Sequence, residues 1–388
     1  MLTRAGAVAA IAGAGWVAGP ALSAEPYVPT AKDFGGPLAG VERIAGTARS
    51  VDPRHQDEGP VTHLSAVMDA PARFDLAGLA REMRPVELRG RVDGGEWTDW
   101  TETANGDPVW FGGMDELQLR TRGYTPKGSI HYVNVSGDAT PGDGALTGAR
   151  RAISGVVTAS VGLLNADVAL GGSGSDRPKV VRRGAWGAND QSGGCKPRRE
   201  PSVGGVKAAV IHHTVNAVNY SEAEAPGMVL AICRYHRNGN GWDDIGYNVV
   251  VDRFGNIYEG RDGGLGKAVT GAHAQGVNYR TTGVAVLGTH TSRLAERKTV
   301  NAIARWLAWK LPRHGRTTKG RARIISQGGE VSRFDKGERV VTRRIFPHRV
   351  VNYTECPGDA LKGQIRKIKR KTQRKIDRAE ASSGGVIR

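Results

Sequence analysis

Cysteine is scarce in this chain: three residues, Cys195, Cys233 and Cys356, in a length of 388. That excludes a small scaffold stapled by several disulfides, so hydrophobic cores must hold the fold. The length leaves room for two domains, each with its own core. Long apolar runs are missing too. Beyond the first 18 residues nothing approaches the roughly 20 residues of a membrane-spanning helix. The mildly apolar segment 152–170 is interrupted by Ser154, Asn165 and Asp167. No internal repeat recurs at solenoid periods, which excludes a stacked-repeat architecture. Acidic residues are outnumbered, 38 Asp and Glu against 55 Lys and Arg, for a formal charge of +17. An anionic partner is implied.

Nucleic acid is the usual partner of such a basic chain, but the charge is uneven. Nine Lys and Arg stand against Asp377 between Lys362 and Arg378, while Ile365, Ile368, Thr372 and Ile376 recur at helical spacing. This is a basic helix with a thin apolar stripe. The other end explains the charge better than nucleic acid does. Met1-Leu2-Thr3-Arg4 is a short basic start, residues 5–18 are apolar and small, and Ser23 or Ala24 suits cleavage. An uncleaved anchor is the alternative. Export to the cell envelope makes an anionic envelope polymer or membrane surface the expected partner; a solvated helix packed by its isoleucines is the plainer reading. An oxidising exterior would also permit a disulfide. If Cys356 holds a metal, Cys195 and Cys233 are left to pair, or to remain thiols with Cys233 buried on a helix.

Composition divides the chain into a signal peptide (1–24), a polar arm (25–58), a small all-β domain (59–136), a flexible linker (137–178), a mixed α/β domain (179–362) and a basic tail (363–388). In the β region, candidate strands run from Val61 to Met68, Val86 to Val92, Glu96 to Thr101, Pro108 to Phe111, Glu116 to Arg122 and Ser129 to Val135. Asp93-Gly94-Gly95, Asn105-Gly106-Asp107 and Gly112-Gly113 read as turns between them. Short strands at this spacing predict a small sandwich. Trp97, Trp100 and Trp110 are either a sugar-stacking platform or ordinary packing. From 180 onward, Val206 to His212 and Gly283 to Gly288 read as buried strands. Val300, Ile303, Ala304, Leu307 and Leu311 mark an amphipathic helix, and residues 320–346 read as a hairpin insertion. The second fold class is therefore α/β, a mixed central sheet flanked by helices.

The chemistry-bearing residues are spread widely. His212 and His213 end a buried strand, and their side chains point to opposite faces, so at most one faces a given metal. His348 and Cys356 lie eight apart, followed by Pro357-Gly358. Two imidazoles and a thiolate suit zinc with its fourth position open, as hydrolysis requires. Cys356 as a nucleophile with a histidine base is the competing chemistry.

Ordered motifs extend the reading. They are Arg183-Gly184-Ala185-Trp186-Gly187-Ala188, Val210-Ile211-His212-His213-Thr214, Gly241-Trp242-Asp243-Asp244-Ile245-Gly246-Tyr247-Asn248, and Tyr258-Glu259-Gly260-Arg261. Gly271 to Asn278, Gly283 to Gly288 and Pro347 to Gly358 complete the set. Together, over about residues 180–362, they resemble the peptidoglycan recognition protein and zinc amidase family, related to the phage lysozyme-type amidase. The β region and linker resemble secreted actinobacterial members. The resemblance implies a zinc-dependent N-acetylmuramoyl-L-alanine amidase acting on peptidoglycan or muropeptides, with zinc on His212, His348 and Cys356. Members that only recognise peptidoglycan generally lack the cysteine; a non-catalytic binding module is the alternative function. The same resemblance assigns Tyr247 to the oxyanion or the attacking water and Thr354 to hydrogen-bonding support. It assigns His213, Arg261, His273 and Asn278 to the substrate groove, with bracing of backbone carbonyls as the other role open to Arg261. Two departures stand out. Asp262-Gly263-Gly264 leaves the choice between diaminopimelate and lysine open, and Val350 replaces an aspartate common in bacterial relatives, which removes one expected support for His348.

Overall fold

Two sheets organise the chain. The computed structural model describes residues 30–44, 60–137, 177–216 and 219–384. The expected signal peptide and nearly all of the expected linker lie outside these described residues. Among them, no helix is long and apolar enough to cross a membrane.

The first sheet is entirely antiparallel. Its strands are β1 (Lys32–Pro37), β2 (Glu42–Arg43), β3 (Val61–Leu64), β4 (Met68–Leu79), β5 (Val86–Arg91), β6 (Thr101–Thr103), β7 (Val109–Arg122) and β8 (Ser129–Asn134). The order is β1-β8-β4-β7-β3-β2, with β5 joining β7 and β6 joining β5. Phe74, Leu88, Leu117, Leu119, Ile130 and Tyr132 share one core, so one connected sheet wraps a common interior. Several elements differ from expectation. Residues 32–37, assigned to the polar arm, pair with β8 along their whole length. Gly112-Gly113 does not end a strand: both glycines take positive φ, 79° and 91°, inside a continuous β7. The third strand forms at 101–103 rather than 96–101. Trp97 and Trp100 stack in a ladder with arginines. Arg89 lies over both rings at 4.6 and 4.5 Å, Arg91 over Trp97 at 4.5 Å and Arg120 over Trp100 at 4.4 Å. Guanidinium stacking occupies the aromatic faces that a sugar would need, and Trp110 is buried.

The second sheet is mixed. Its strands are β9 (Ala208–His213), β10 (Val249–Val251), β11 (Ile257–Glu259), β12 (Thr281–Val286) and β15 (Ile345–Pro347), in the order β11-β10-β12-β9-β15. All neighbours are parallel except β10 and β11. Burial on both faces explains the unbroken apolar run of β9. Ala209 and Ile211 pack with Val300, Ile303 and Leu307 of α2 (Arg297–Lys310) and with Leu361 and Ile368 of α3 (Asp359–Gly384). Ala208 and Val210 pack beneath Ala322, Ile324 and Val340 of the hairpin formed by β13 (Arg321–Ile325) and β14 (Arg339–Arg343). The proposed division at 362/363 falls inside α3, a single 26-residue helix. Its isoleucines and Thr372 are buried, while Arg366, Lys367, Arg370, Arg374 and Lys375 face outward.

The two units share a core. Leu76, Trp110 and Val133 of the first meet Met228 and Ile232 of α1 (Ala225–Arg234), together with Tyr235 and Tyr247. Gly78 inside β4 lies against Tyr235, and a methyl there would overlap the phenol. The Tyr235 hydroxyl donates to the Leu79 carbonyl at 2.9 Å. Asp33 of β1 clamps the junction, taking Arg234 on both oxygens at 3.0 and 2.6 Å and the Asn238 amide at 2.5 Å.

Burial alone would raise the Asp33 carboxyl. His131, whose Nε2 lies 3.9 Å from Oδ1, the hydrogen bonds from Arg234 and Asn238, and the Arg234 charge outweigh it and hold the group below its ordinary value. This contact therefore stabilises the fold fully above the ordinary carboxylate range and fades as pH falls through the depressed native value. Asp33→Asn should cost roughly 1–3 kcal/mol at neutral pH. It should also flatten the loss of thermal stability expected below about pH 4. Melting curves across pH provide the check, and an unchanged acid limb would remove Asp33 as the clamp.

Candidate metal centre

Strand register assembles the centre. In β15, Pro347 lies opposite Ile211 of β9, so the next residue on each strand, His348 and His212, come side by side at the carboxyl ends. Their ring centroids are 4.3 Å apart. Ligand sites gather at the carboxyl ends of parallel strands because loops diverge there. The loop after His348 returns Cys356 to the same point, and its Sγ lies 3.8 Å from His212 Nδ1. One donor atom from each of His212, His348 and Cys356 falls within 4.8 Å of the others, and all three residues are buried.

The donors fit zinc in chemistry, and the two histidines fit it in protonation as well. Zn–N near 2.1 Å and Zn–S near 2.3 Å at a tetrahedral angle place nitrogen and sulfur about 3.6 Å apart, close to the 3.8 Å spacing here. His348 Nε2 faces Asn352 Oδ1 at 3.0 Å, so it carries the hydrogen, and Nδ1 is left buried without a partner. An unpartnered imidazole lone pair aimed at two other donors is what a metal requires. His212 Nε2 is taken up by His273 Nδ1 at 3.0 Å, which leaves His212 Nδ1 on the side of Cys356. Burial, reinforced by the neighbouring histidines, pushes His212 well below its ordinary value, and burial takes His348 down to about 4. Both rings are neutral and ready to ligate at physiological pH. Burial raises the Cys356 thiol, against the opposing effect of the His213 N–H, which donates to Sγ at 3.4 Å. His213 itself turns away, and its Nδ1 accepts the His290 N–H at 3.2 Å.

The remaining sequence-derived candidates divide. Tyr247 stands beside His212, ring centroids 5.3 Å apart, and burial followed by the Asp107 charge raises its phenol well above the ordinary value. Thr354 Oγ1 accepts the Cys356 N–H at 3.1 Å, holding the loop that bears the sulfur. His213 and Thr354 line a cleft of about 510 Å³ beside Cys356, and its far wall, including Trp110, belongs to the first sheet. The other three sit behind the cleft. His273 backs His212. Asn278 Oδ1 accepts the His273 and Ala274 N–H groups at 2.9 and 2.7 Å, fixing the loop that carries His273. Arg261 donates to the Ile245 carbonyl at 3.3 Å, the bracing alternative. Cys195 and Cys233 are joined as a disulfide. Arg183, at the start of a short 3-10 helix (Arg183–Trp186), donates to the Cys195 carbonyl and pairs with Asp244.

Three positions that contact the site residues escaped sequence reasoning. Asn352 supplies the support for His348 that Val350 cannot, and its place four residues on, within the same motif, was the available signal. Asp107 and His236 are harder. Asp107 Oδ1 takes the Tyr247 hydroxyl at 2.6 Å and His236 Nε2 at 3.2 Å, across 140 positions of sequence that carry no hint of the pairing.

A family model described as N-acetylmuramoyl-L-alanine amidase matches residues 202–359. The chain is 31% identical to peptidoglycan-recognition protein SC2 of Drosophila melanogaster over 159 residues, covering 41% of this chain and 71% of that protein. It is also 31% identical over 197 residues to N-acetylmuramoyl-L-alanine amidase of Sus scrofa, covering 49% of this chain and 27% of that protein. The solved structure of peptidoglycan recognition protein-LE in complex with tracheal cytotoxin is 27% identical. It covers 48% of this chain and 92% of that one, with a TM-score of 0.38.

Asn352→Ala should weaken zinc affinity by about 10- to 100-fold, because the His348 ring loses the partner that sets its tautomer. Competition against a calibrated chelator measures this. Undiminished affinity would confine Asn352 to propping the loop through its amide bonds to Val331 and Gln275.

Proposed function

The chain belongs to the N-acetylmuramoyl-L-alanine amidase and peptidoglycan-recognition-protein family, and we propose that it is an exported zinc-dependent amidase. Its function lies with peptidoglycan. The bond cut is the amide between the lactyl group of N-acetylmuramic acid and the first L-alanine of the stem peptide, in polymer or in released muropeptides. The donor set carries this reading: two imidazoles whose outer nitrogens are held by Asn352 and His273, and one buried thiol, converging on a point at the edge of a cleft.

When bound, zinc supplies a Lewis acid and a water acidified to near neutrality. The chain supplies the rest. His212, His348 and Cys356 hold the ion, and Thr354 holds the turn that presents the sulfur. Tyr247 stands beside His212, where a phenol acts on the attacking water or on the tetrahedral oxyanion according to where its hydrogen is committed. His213 and the wall around Trp110 line the space beside the scissile amide. Burial keeps bulk water away, which strengthens each of these contacts. The outward basic face of α3 suits anionic polymers of the envelope, and screening by salt would weaken that attachment.

The test is digestion of purified muropeptides. Zinc should co-purify at about one per chain, as three-ligand catalytic sites bind a single ion. A chelator should abolish release of free stem peptide, and added zinc should restore it. Cys356→Ser should lower turnover by at least about 100-fold with loss of metal. Binding without release in the zinc-loaded protein would leave a recognition module, and alkylation-sensitive cleavage indifferent to chelators would point to a cysteine hydrolase.

A further inference from the structure

The hydrogen on Tyr247 has a defined direction. A carboxylate oxygen only accepts, so at 2.6 Å the Tyr247 hydroxyl donates to Asp107 Oδ1. The second contact agrees. The Gly246 N–H donates to His236 Nδ1 at 3.2 Å, so the hydrogen of that ring sits on Nε2 and points to the same Asp107 oxygen at 3.2 Å. Two donors therefore converge on one acceptor, and the phenol has no second hydrogen to offer.

Asp107 is delivered to this spot by a tight turn. Asn105 and Gly106 both take positive φ, 61° and 76°, and the Asp107 N–H closes onto the Ala104 carbonyl at 3.2 Å. These are the marks of a type I′ turn. The turn is pinned to the other unit, because Asn240 Nδ2 donates to the Gly106 carbonyl at 2.6 Å. A Cβ at Gly106 would sit 2.8 Å from that same nitrogen.

We propose that Asp107, supplied by the all-β unit, is a positioning residue for the reaction. By taking the Tyr247 hydrogen it turns the phenol's lone pairs into the site, so Tyr247 accepts a hydrogen bond from the attacking water. The other role, donation to the oxyanion, is closed while this bond is made. The α/β unit alone is an incomplete catalyst on this account. The inference rests on the amidase reading above for its consequence, but its geometry is separable from it.

The full-length zinc-loaded protein is the test material, with a muramoyl-L-alanyl peptide as the probe. Asp107→Ala should lower kcat by roughly 10- to 100-fold, the scale of misplacing a reacting group, with KM and zinc content little changed. Asp107→Asn keeps an acceptor and should restore most of that loss. In a Tyr247→Phe background Asp107→Ala should cost nothing further, since its partner is gone. Multiplying losses in the double variant, or an unchanged kcat in Asp107→Ala, would overturn the proposal. A second measurement is independent of turnover: tyrosine labelled at Cζ with carbon-13, with the Tyr247 resonance identified by its absence in Tyr247→Phe. That resonance should move in Asp107→Ala and stay in place in Asp33→Asn. If it moves while the wild-type protein releases no stem peptide, the positioning stands and the amidase reading fails. If it does not move, the positioning fails whatever the activity.

Discussion

Parallel register between β9 and β15 is the constraint on which the centre depends. Pro347 opposite Ile211 fixes how far His348 extends beside His212. Parallel hydrogen bonds are evenly spaced and slanted, and a one-residue slip would turn the side chain at this level to the opposite face of the sheet. The register is held by burial on both sides, with helices over Ile211 and the β13–β14 hairpin under Val210. Packing therefore sets the metal geometry through the sheet. The side-chain bonds from Asn352 and His273 then only have to choose which nitrogen faces inward.

Polar groups inside the molecule are arranged in the same economical way. Arg261, Asn278 and Thr354 each tie a loop to backbone N–H or carbonyl groups, and of the three only Thr354 also lines the cleft. Buried polar groups that lack partners are costly, so the ones left open near the site are informative. His348 Nδ1 is such a group. The cleft also joins two architectures, since its walls come from an antiparallel sheet on one side and an α/β unit on the other.

Much of the α/β unit was legible in the sequence because its signals are local. A strand buried on both faces reads as a continuous apolar run, and α2 repeats its apolar positions at helical spacing. The metal candidates were legible through ordered motifs, and strand geometry explains why His212 turns toward the other two donors while His213 does not. Legibility failed where position depends on distant chain. β4 hides behind Pro71 and Gly78, which break the pattern of a strand. β1, Lys-Asp-Phe-Gly-Gly-Pro, has no alternation and is a strand only because β8 lies beside it. Arg261 and Asn278 sit in the expected motifs, yet their side chains turn to backbone atoms that no spacing rule specifies. Asp107 was legible as part of a turn and invisible as a partner of Tyr247.

Gly78 looks expendable, a residue without a side chain in the middle of a strand. It acts as a spacing gauge between the two architectures. Because nothing projects from it, β4 can rest directly on the Tyr235 phenol. Hydrogen bonds tolerate only a few tenths of an ångström before they weaken. A side chain at 78 would wedge the sheet away by more than that, and the Asp107 turn, carried on the same sheet, would lift from Tyr247. The chemistry of the cleft is thus calibrated by an absence, at a point that touches neither metal donor nor substrate wall.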